Sequence, residues 1–429
     1  MAFLLSKINS SSIDGLIRIF LYLLIFWLPY SPAVIEICVS LSLVLWILKR
    51  TMILNQQFPS LSSFKEKVVG ILKAFKPAAS PLNKAIVFFL LVGLISASHS
   101  ILWQQSLKNF FTKTVEWFIV YFLMLEVFRE KKHFKTAGII FIVTTFAVAL
   151  DSFIQFYITS KDIFLQHTIE PGSRATASFK TPNGLGAYLT LAVPLGLSLF
   201  FSKKYPWRVC FIFFIACLWS LGLTFSRGAW VGTLSGMAFV LLIKGFFHNE
   251  KFIFLISTRG FILMLIFLAG FVFSIHLIEN SSWKRLNTAQ WRLAIWQDTL
   301  KMIKDHPFLG HGPNTFMQLF QSYRRDVGTQ PTYAHNCYLQ LATENGLLGL
   351  GGFLWIIGIV FSNSLKTIHQ FFKNNDPFLI AAMGLLGGML AFLVHSFFDN
   401  HLFSLQLSIY LWVVIGLQMA LLKLYVKKP

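Results

Sequence analysis

Basic and imidazole side chains crowd one stretch, 283–350, of an otherwise apolar chain: Lys284, Arg285, Arg292, Lys301, Lys304, Arg324 and Arg325, with His306, His311 and His335. A guanidinium is always charged, weakly hydrated and shaped to hold two phosphate oxygens at once. An imidazole is the side chain best suited to take a proton near neutral pH. Together they describe an anion site with a base beside it. Two further arginines, Arg174 and Arg227, stand where predicted spans end on the same side as this stretch. For each arginine the alternative is contact with lipid headgroups. Arg227 argues for a site, because the spans on either side leave almost no loop in which it could be solvated.

His335 stands in Tyr333-Ala334-His335-Asn336, just ahead of a span. It is either an interfacial polar residue or a base, and the arginine-rich insert before it favours the base. Asn336 either orients that histidine or caps the following helix. His311 lies in the turn Gly310-His311-Gly312-Pro313-Asn314, built by glycine and proline; His306, ahead of a proline, ranks below it. Glu344 falls one or two turns beyond His335, at a depth where an ionisable group is a functional candidate or the structural partner of an arginine. Asp399, before Asn400 and His401 in a tight turn, is the other acid on this side.

The elements that position these residues are read from hydropathy. Of 429 residues, 55% are hydrophobic and only 13% charged, with a mean hydropathy of +0.65. Apolar runs of near-spanning length recur throughout, and a bilayer needs ~20 such residues per helix. Lipid leaves only helices or closed barrels to satisfy the backbone, so the fold class is all-α, a polytopic transmembrane bundle. About twelve spans are expected, at 13–30, 33–48, 85–102, 111–128, 136–157, 185–201, 209–224, 229–247, 261–278, 339–361, 378–397 and 403–424. This divides the chain into spans over 1–278, a long helical external loop over 279–338 and spans over 339–429. The first span carries no convincing cleavage site and reads as uncleaved.

The net charge of +20 does not imply nucleic acid, because most Lys and Arg fall in short clusters on one side of the spans, as the positive-inside rule predicts. Both termini are then cytoplasmic, and the basic segment 49–84 suits an anionic membrane surface. The insert breaks that rule on the outer side and needs a functional cause. Cys38, Cys210, Cys217 and Cys337 form no disulfide framework. No Walker loop, dinucleotide fingerprint, zinc spacing or outward acidic pair is present, so no cofactor or metal is expected.

Four stretches resemble the O-antigen ligase and polymerase superfamily: RATASFKTPNGLGAYLTLAVPL from Arg174, LTFSRGAWVG around Arg227, WRLAIWQDTLKMIKDHPFLGHGPNTF from Trp291, and AHNCYLQLATENGLLGL from Ala334. The resemblance implies a GT-C-like glycosyltransferase of the bacterial inner membrane with its site facing the periplasm. Its donor would be a glycan on undecaprenyl pyrophosphate, and its acceptor the lipid A-core oligosaccharide. His335 then matches the family's essential histidine, and Arg174, Arg227 and Arg292 match arginines proposed to hold the pyrophosphate. In this chain Asn336 follows His335 directly, without the Ser or Thr described between them in ligases. A polymerase and a protein O-oligosaccharyltransferase are the alternatives within the superfamily. The ligase is favoured because the chain is compact and ends soon after its last span. A polyprenyl-glycan flippase is the rival outside it, disfavoured by a nearly charge-free membrane interior and the absence of an internal repeat.

Overall fold

The computed structural model describes residues 10–57, 64–170, 173–202, 205–247, 286–325, 333–374, 376 and 378–426. The expected span at 261–278, and Lys284 and Arg285, lie outside the described residues. In chain order the helices are α1 (Ser10–Trp27), α2 (Pro32–Gln57), α3 (Phe64–Ala74), α4 (Asn83–His99), α5 (Trp103–Asn109) and α6 (Val115–Val127). There follow α7 (Lys131–Ile154), α8 (Pro182–Phe200), α9 (Trp207–Leu223), α10 (Arg227–Phe247) and α11 (Leu286–Asp305). The last are α12 (Phe316–Leu319), α13 (Cys337–Lys373), α14 (Leu379–His395) and α15 (Leu405–Val426). The π turn Phe110–Thr114 joins α5 to α6, and Gln155–Thr159 extends α7. No strand occurs among the described residues.

The protein is an all-α polytopic bundle. Among the described residues seven helices are long and apolar enough to cross a membrane: α1, α2, α7 with its π turn, α8, α10, α13 and α15. Helices α4, α9 and α14 are apolar but shorter. Each expected span within the described residues coincides with helix. Leu, Ile and Phe point outward along α1, α2, α4 and α7, with Ile37, Val44, Leu91 and Ile139 more than half exposed. Such surface is stable only in lipid, since a soluble chain does not display apolar patches of that extent.

Small residues set the centre of the bundle. Gly228, Gly232 and Gly236 recur every fourth residue along one face of α10, and the facing segment of α14 carries Gly387 and Ala391. A β-carbon at Gly232 would overlap the carbonyl oxygen of Ala391, and one at Gly236 that of Gly387. Across α14, Gly384 and Gly388 bring the backbone of α8 equally close, at Leu195 and Leu191. Without a hydrophobic force between helices in lipid, this close backbone approach is what holds them together. It also brings the first residues of α10 against the last of α14: a β-carbon on Gly228 would lie 2.9 Å from both His395 Cδ2 and Phe398 Cβ.

Charge is not confined to the surface. Lys49 donates to Asp14 at 2.6 Å and to Glu126 at 2.7 Å, and Arg50 pairs with the same Glu126. Lys49 and Arg50, the first residues of the basic segment 49–84, both lie within α2, in a network that ties α1, α2 and α6 together. Burial without such pairing would be prohibitive. This network lies at the end of the bundle where α13 connects to α14, near the Lys131–Asp376 pair at 2.9 Å, and opposite the α14–α15 turn.

Helix α13, of 37 residues, would exceed a bilayer's thickness if straight. It is interrupted at Gly346, whose φ is 70° and ψ 178°. The break admits the 306–314 turn: Leu347 N donates to Pro307 O at 2.7 Å, and a side chain on Gly346 would overlap Phe308 O. The segment before the break, holding Glu344, is therefore a short helix of its own. A Gly346→Ala substitution meets both a left-handed φ and an occupied space, and is expected to destabilise the fold by more than ~1 kcal/mol. A lowered midpoint in detergent thermal unfolding is the readout, and an unchanged midpoint would refute this account.

Candidate functional site

Helices α8, α10 and α13 all begin at the end of the bundle where α14 turns into α15. The positive ends of their helix dipoles make that end favourable to anions. Thr181 caps α8 by accepting from Gly184 N at 3.1 Å, with Pro182 at the first helical position. Asn336 caps α13, its side chain accepting from Tyr338 N at 3.0 Å and Leu339 N at 3.1 Å. Of the two readings of Asn336, the structure realises the cap. The loop before α8 is tied down by Gln155, whose Oε1 accepts from Thr176 N at 2.9 Å and Ala177 N at 2.8 Å.

A hydrogen-bonded line crosses this end of the bundle. Arg174 donates from Nε to Thr224 O at 2.7 Å and from Nη2 to Asn183 Oδ1 at 2.6 Å. Asn183 passes the contact on, donating from Nδ2 to Asp399 Oδ2. Asp399 Oδ1 lies 3.2 Å from His335 Nδ1 and also accepts from Asn400 N at 2.9 Å. A proton on Nδ1 satisfies the carboxylate and leaves Nε2 with its lone pair, for which no described residue provides a partner. His335 sits at φ 50°, in the left-handed region. A non-glycine residue there is held against a backbone cost, a pattern concentrated at functional sites.

The side chains around His335 contain unfilled donors. Trp291 lies 5.2 Å from the imidazole, ring centre to ring centre. Its buried Nε1 and the buried Nε of Arg292 have no hydrogen-bond partner among the described residues. Both donors are available to an acceptor-rich ligand. Helix α11 is docked here by Trp296, which donates to Ala334 O at 3.0 Å and packs edge-on to Phe397. Arg227, the first residue of α10, is exposed and makes no hydrogen bond to a described residue. Its neighbour Ser226 lies 3.4 Å from His395 Nε2.

Charge and burial act in opposite senses on the two titratable groups of the α14–α15 turn. Burial pushes the Asp399 carboxyl up, but the hydrogen bond from His335 and the neighbouring imidazoles pull it well below the usual carboxylate range. The His401 imidazole is pushed down to about 4, first by burial and further by Arg292, against the pull of Asp399. Asp399 is therefore the anionic centre of the site and His401 a neutral wall.

Arg174, Arg292, His335 and Asp399 are thus brought together, with Arg227 at the adjoining helix start. His311 and Glu344 are not in this cluster. His311 is buried with Nε2 3.1 Å from Met302 O and its ring against His306. Glu344 accepts from Asn314 N at 2.6 Å and Gln340 Nε2 at 3.1 Å, holding the 310–314 turn on α13. Asn183, Trp291, His395 and His401 join the site without having been singled out. The spacing His395-x-x-x-Asp399-x-His401 in an apolar region was the available signal. Among the described residues no group of three His, Cys, Asp or Glu stands close enough to hold a metal ion.

The O-antigen ligase family model matches residues 212–354, a stretch that includes Arg227, Arg292 and His335 but not Arg174 or Asp399. A general O-oligosaccharyltransferase of Acinetobacter baylyi is similar, 29% identical over 199 residues, covering 43% of this chain and 34% of that protein. The chain thus spans about a third of the length of the curated relative it matches.

The electrostatics generate a pH dependence. His401 has its folded value, about 4, below the ~6.5 of an unfolded chain. Between those values the unfolded state binds the extra proton, so stability rises with pH. The contribution is complete above pH ~6.5 and is lost towards pH ~4, a loss of ~3 kcal/mol at 1.36 kcal/mol per unit. The thermal midpoint should fall between pH 7 and 4.5, and His401→Phe should flatten that fall. An unaltered slope in the variant would contradict the assignment.

Proposed function

We propose that this chain, which belongs to the O-antigen ligase superfamily, joins a glycan carried on undecaprenyl pyrophosphate to an acceptor hydroxyl, with lipid A-core oligosaccharide as the acceptor. The observation that carries this reading is His335, with Nδ1 on the Asp399 carboxylate and Nε2 open, beside the unfilled donors of Trp291 and Arg292.

His335 Nε2 takes the proton of the acceptor hydroxyl as that oxygen bonds to the anomeric carbon of the donor. The bond from that carbon to the phosphate oxygen breaks, and the electron pair leaves with the lipid-borne pyrophosphate. Asp399 fixes the imidazole tautomer and stabilises the imidazolium that forms, the role of a triad aspartate. Arg174, Arg227 and Arg292 oppose the charge that develops on the leaving group. Attack opposite the leaving group inverts the anomeric configuration. The membrane is the bacterial inner membrane, with this site on the periplasmic face. The basic residues Arg129, Lys131 and Lys132 at the other end of the bundle support that orientation.

A second reading, transfer of an oligosaccharide to another class of acceptor, is favoured by the name of the Acinetobacter relative. Both readings share the chemistry at His335. His335→Ala should lower transfer by about 10²–10⁴-fold, and Asp399→Asn should cost most of the same factor without adding to it. Full transfer by His335→Ala would sink the mechanism. The lipopolysaccharide ladder of a deletion strain separates the acceptors: bare core with long carrier-linked chains means ligase, and core with a single repeat means polymerase. A normal ladder turns the assignment to the second reading.

A further inference from the structure

Helices α2, α4, α6, α13 and the start of α15, with the 109–114 segment and the turn at Pro313 and Asn314, line a cavity of about 280 Å³. Its wall combines the aromatic Trp117, the amides of Asn109 and Asn345, the hydroxyl of Ser408 and the carboxylates of Glu36 and Glu344. Lys113 also lines it, with Nζ 3.1 Å from Asn314 Oδ1. Phe89, Phe403, Leu341, Leu402 and Leu405 complete the wall, so that aromatic and aliphatic surface alternates with hydrogen-bonding groups. Amides and carboxylates accept from hydroxyls in pairs, and an aromatic surface supports the apolar face of a ring.

We propose that this cavity is a saccharide subsite that seats a sugar ring of the acceptor glycan, and that it favours neutral or amino sugars over uronic acids. This inference rests on the reading of the His335 site given above. In that reaction the acceptor oxygen enters opposite the departing pyrophosphate. Arg174 stands ahead of α8, Arg227 at the start of α10 and Arg292 on α11, and none of the three lines the cavity, which leaves the cavity to the acceptor. One side chain couples the two places. Gln340 Nε2 donates to Glu344 at the cavity wall, while its Oε1 accepts from Ala334 N at 3.2 Å and from Asn400 Nδ2. Ala334 and Asn400 adjoin His335 and Asp399, so the wall that holds the sugar also fixes the distance to the base. The exposed carboxylate of Glu36 disfavours a sugar that carries its own carboxylate, because like charges at close range are costly.

The test uses the full chain in detergent micelles, with free N-acetylglucosamine and free glucuronate as probes in saturation-transfer NMR. Ser408→Leu places a branched side chain in the cavity and should reduce the N-acetylglucosamine signal to background. Glu36 is exposed on α2, so Glu36→Gln tests the same cavity with little risk to folding. It should raise the glucuronate signal relative to that of N-acetylglucosamine. In a transfer assay both variants should raise the acceptor KM about tenfold, equivalent to ~1.4 kcal/mol, and leave the donor KM unchanged. Equal probe signals in wild type and Ser408→Leu, or an unchanged sugar ratio in Glu36→Gln, would overturn the proposal. His335→Ala separates the two layers. It should abolish transfer and keep sugar binding, whereas retained transfer with retained binding refutes the catalytic reading alone.

Discussion

The carboxylate of Asp399 gathers side chains from separate parts of the chain. It receives Asn183 from the start of α8, approaches His335 ahead of α13 at 3.2 Å, and takes the backbone N–H of Asn400. Through Asn183 it is linked to Arg174, and its own carbonyl accepts from Cys337 Sγ at 3.1 Å. A largely buried charge is tolerated only when its oxygens are satisfied, and a network of this kind specifies one arrangement because each alternative strands a charge. The imidazole tautomer, the angle of the histidine loop and the placing of the first arginine follow from that requirement.

The surrounding helices bring these groups within reach. Three helix N-termini open towards one turn, so the fixed dipoles and the guanidiniums act in the same sense on an anion. At the other end the Lys49, Asp14 and Glu126 network pairs its charges internally. One end of the bundle pairs its charges with one another, and the other gathers guanidiniums and positive dipole ends around one turn.

Much of this was legible in the sequence, for a physical reason. Lipid permits only helices here, so apolar runs of spanning length marked the elements. Charged residues are rare in such a chain, so Arg174, Arg227, Arg292, His335 and Asp399 stood out. The residues that escaped notice have ordinary roles in most contexts. Asn183 reads as part of a turn, Trp291 as an interface anchor and His395 as the end of an apolar helix. Asn336 carried two readings, and only the geometry of the first turn of α13 separates them. The break at Gly346 was hidden because Asn345-Gly346-Leu347-Leu348-Gly349 fits a membrane helix, in which glycines are common. His311 and Glu344 were conspicuous for their chemistry, yet they hold the turn that the break admits.

The glycine face of α10 has a consequence for how this protein tolerates change. Gly232 and Gly236 lie five and nine residues from Arg227, ~8 and ~14 Å along the helix axis, well inside the lipid-facing layer. A carbonyl of α14 already fills the space where a side chain would go. Any larger residue there pries α10 from α14, and so moves Arg227 away from the turn that carries Asp399. Random mutagenesis scored for loss of activity should therefore collect alleles at these uncharged, chemically inert positions. Their phenotype would mimic loss of an arginine they never touch.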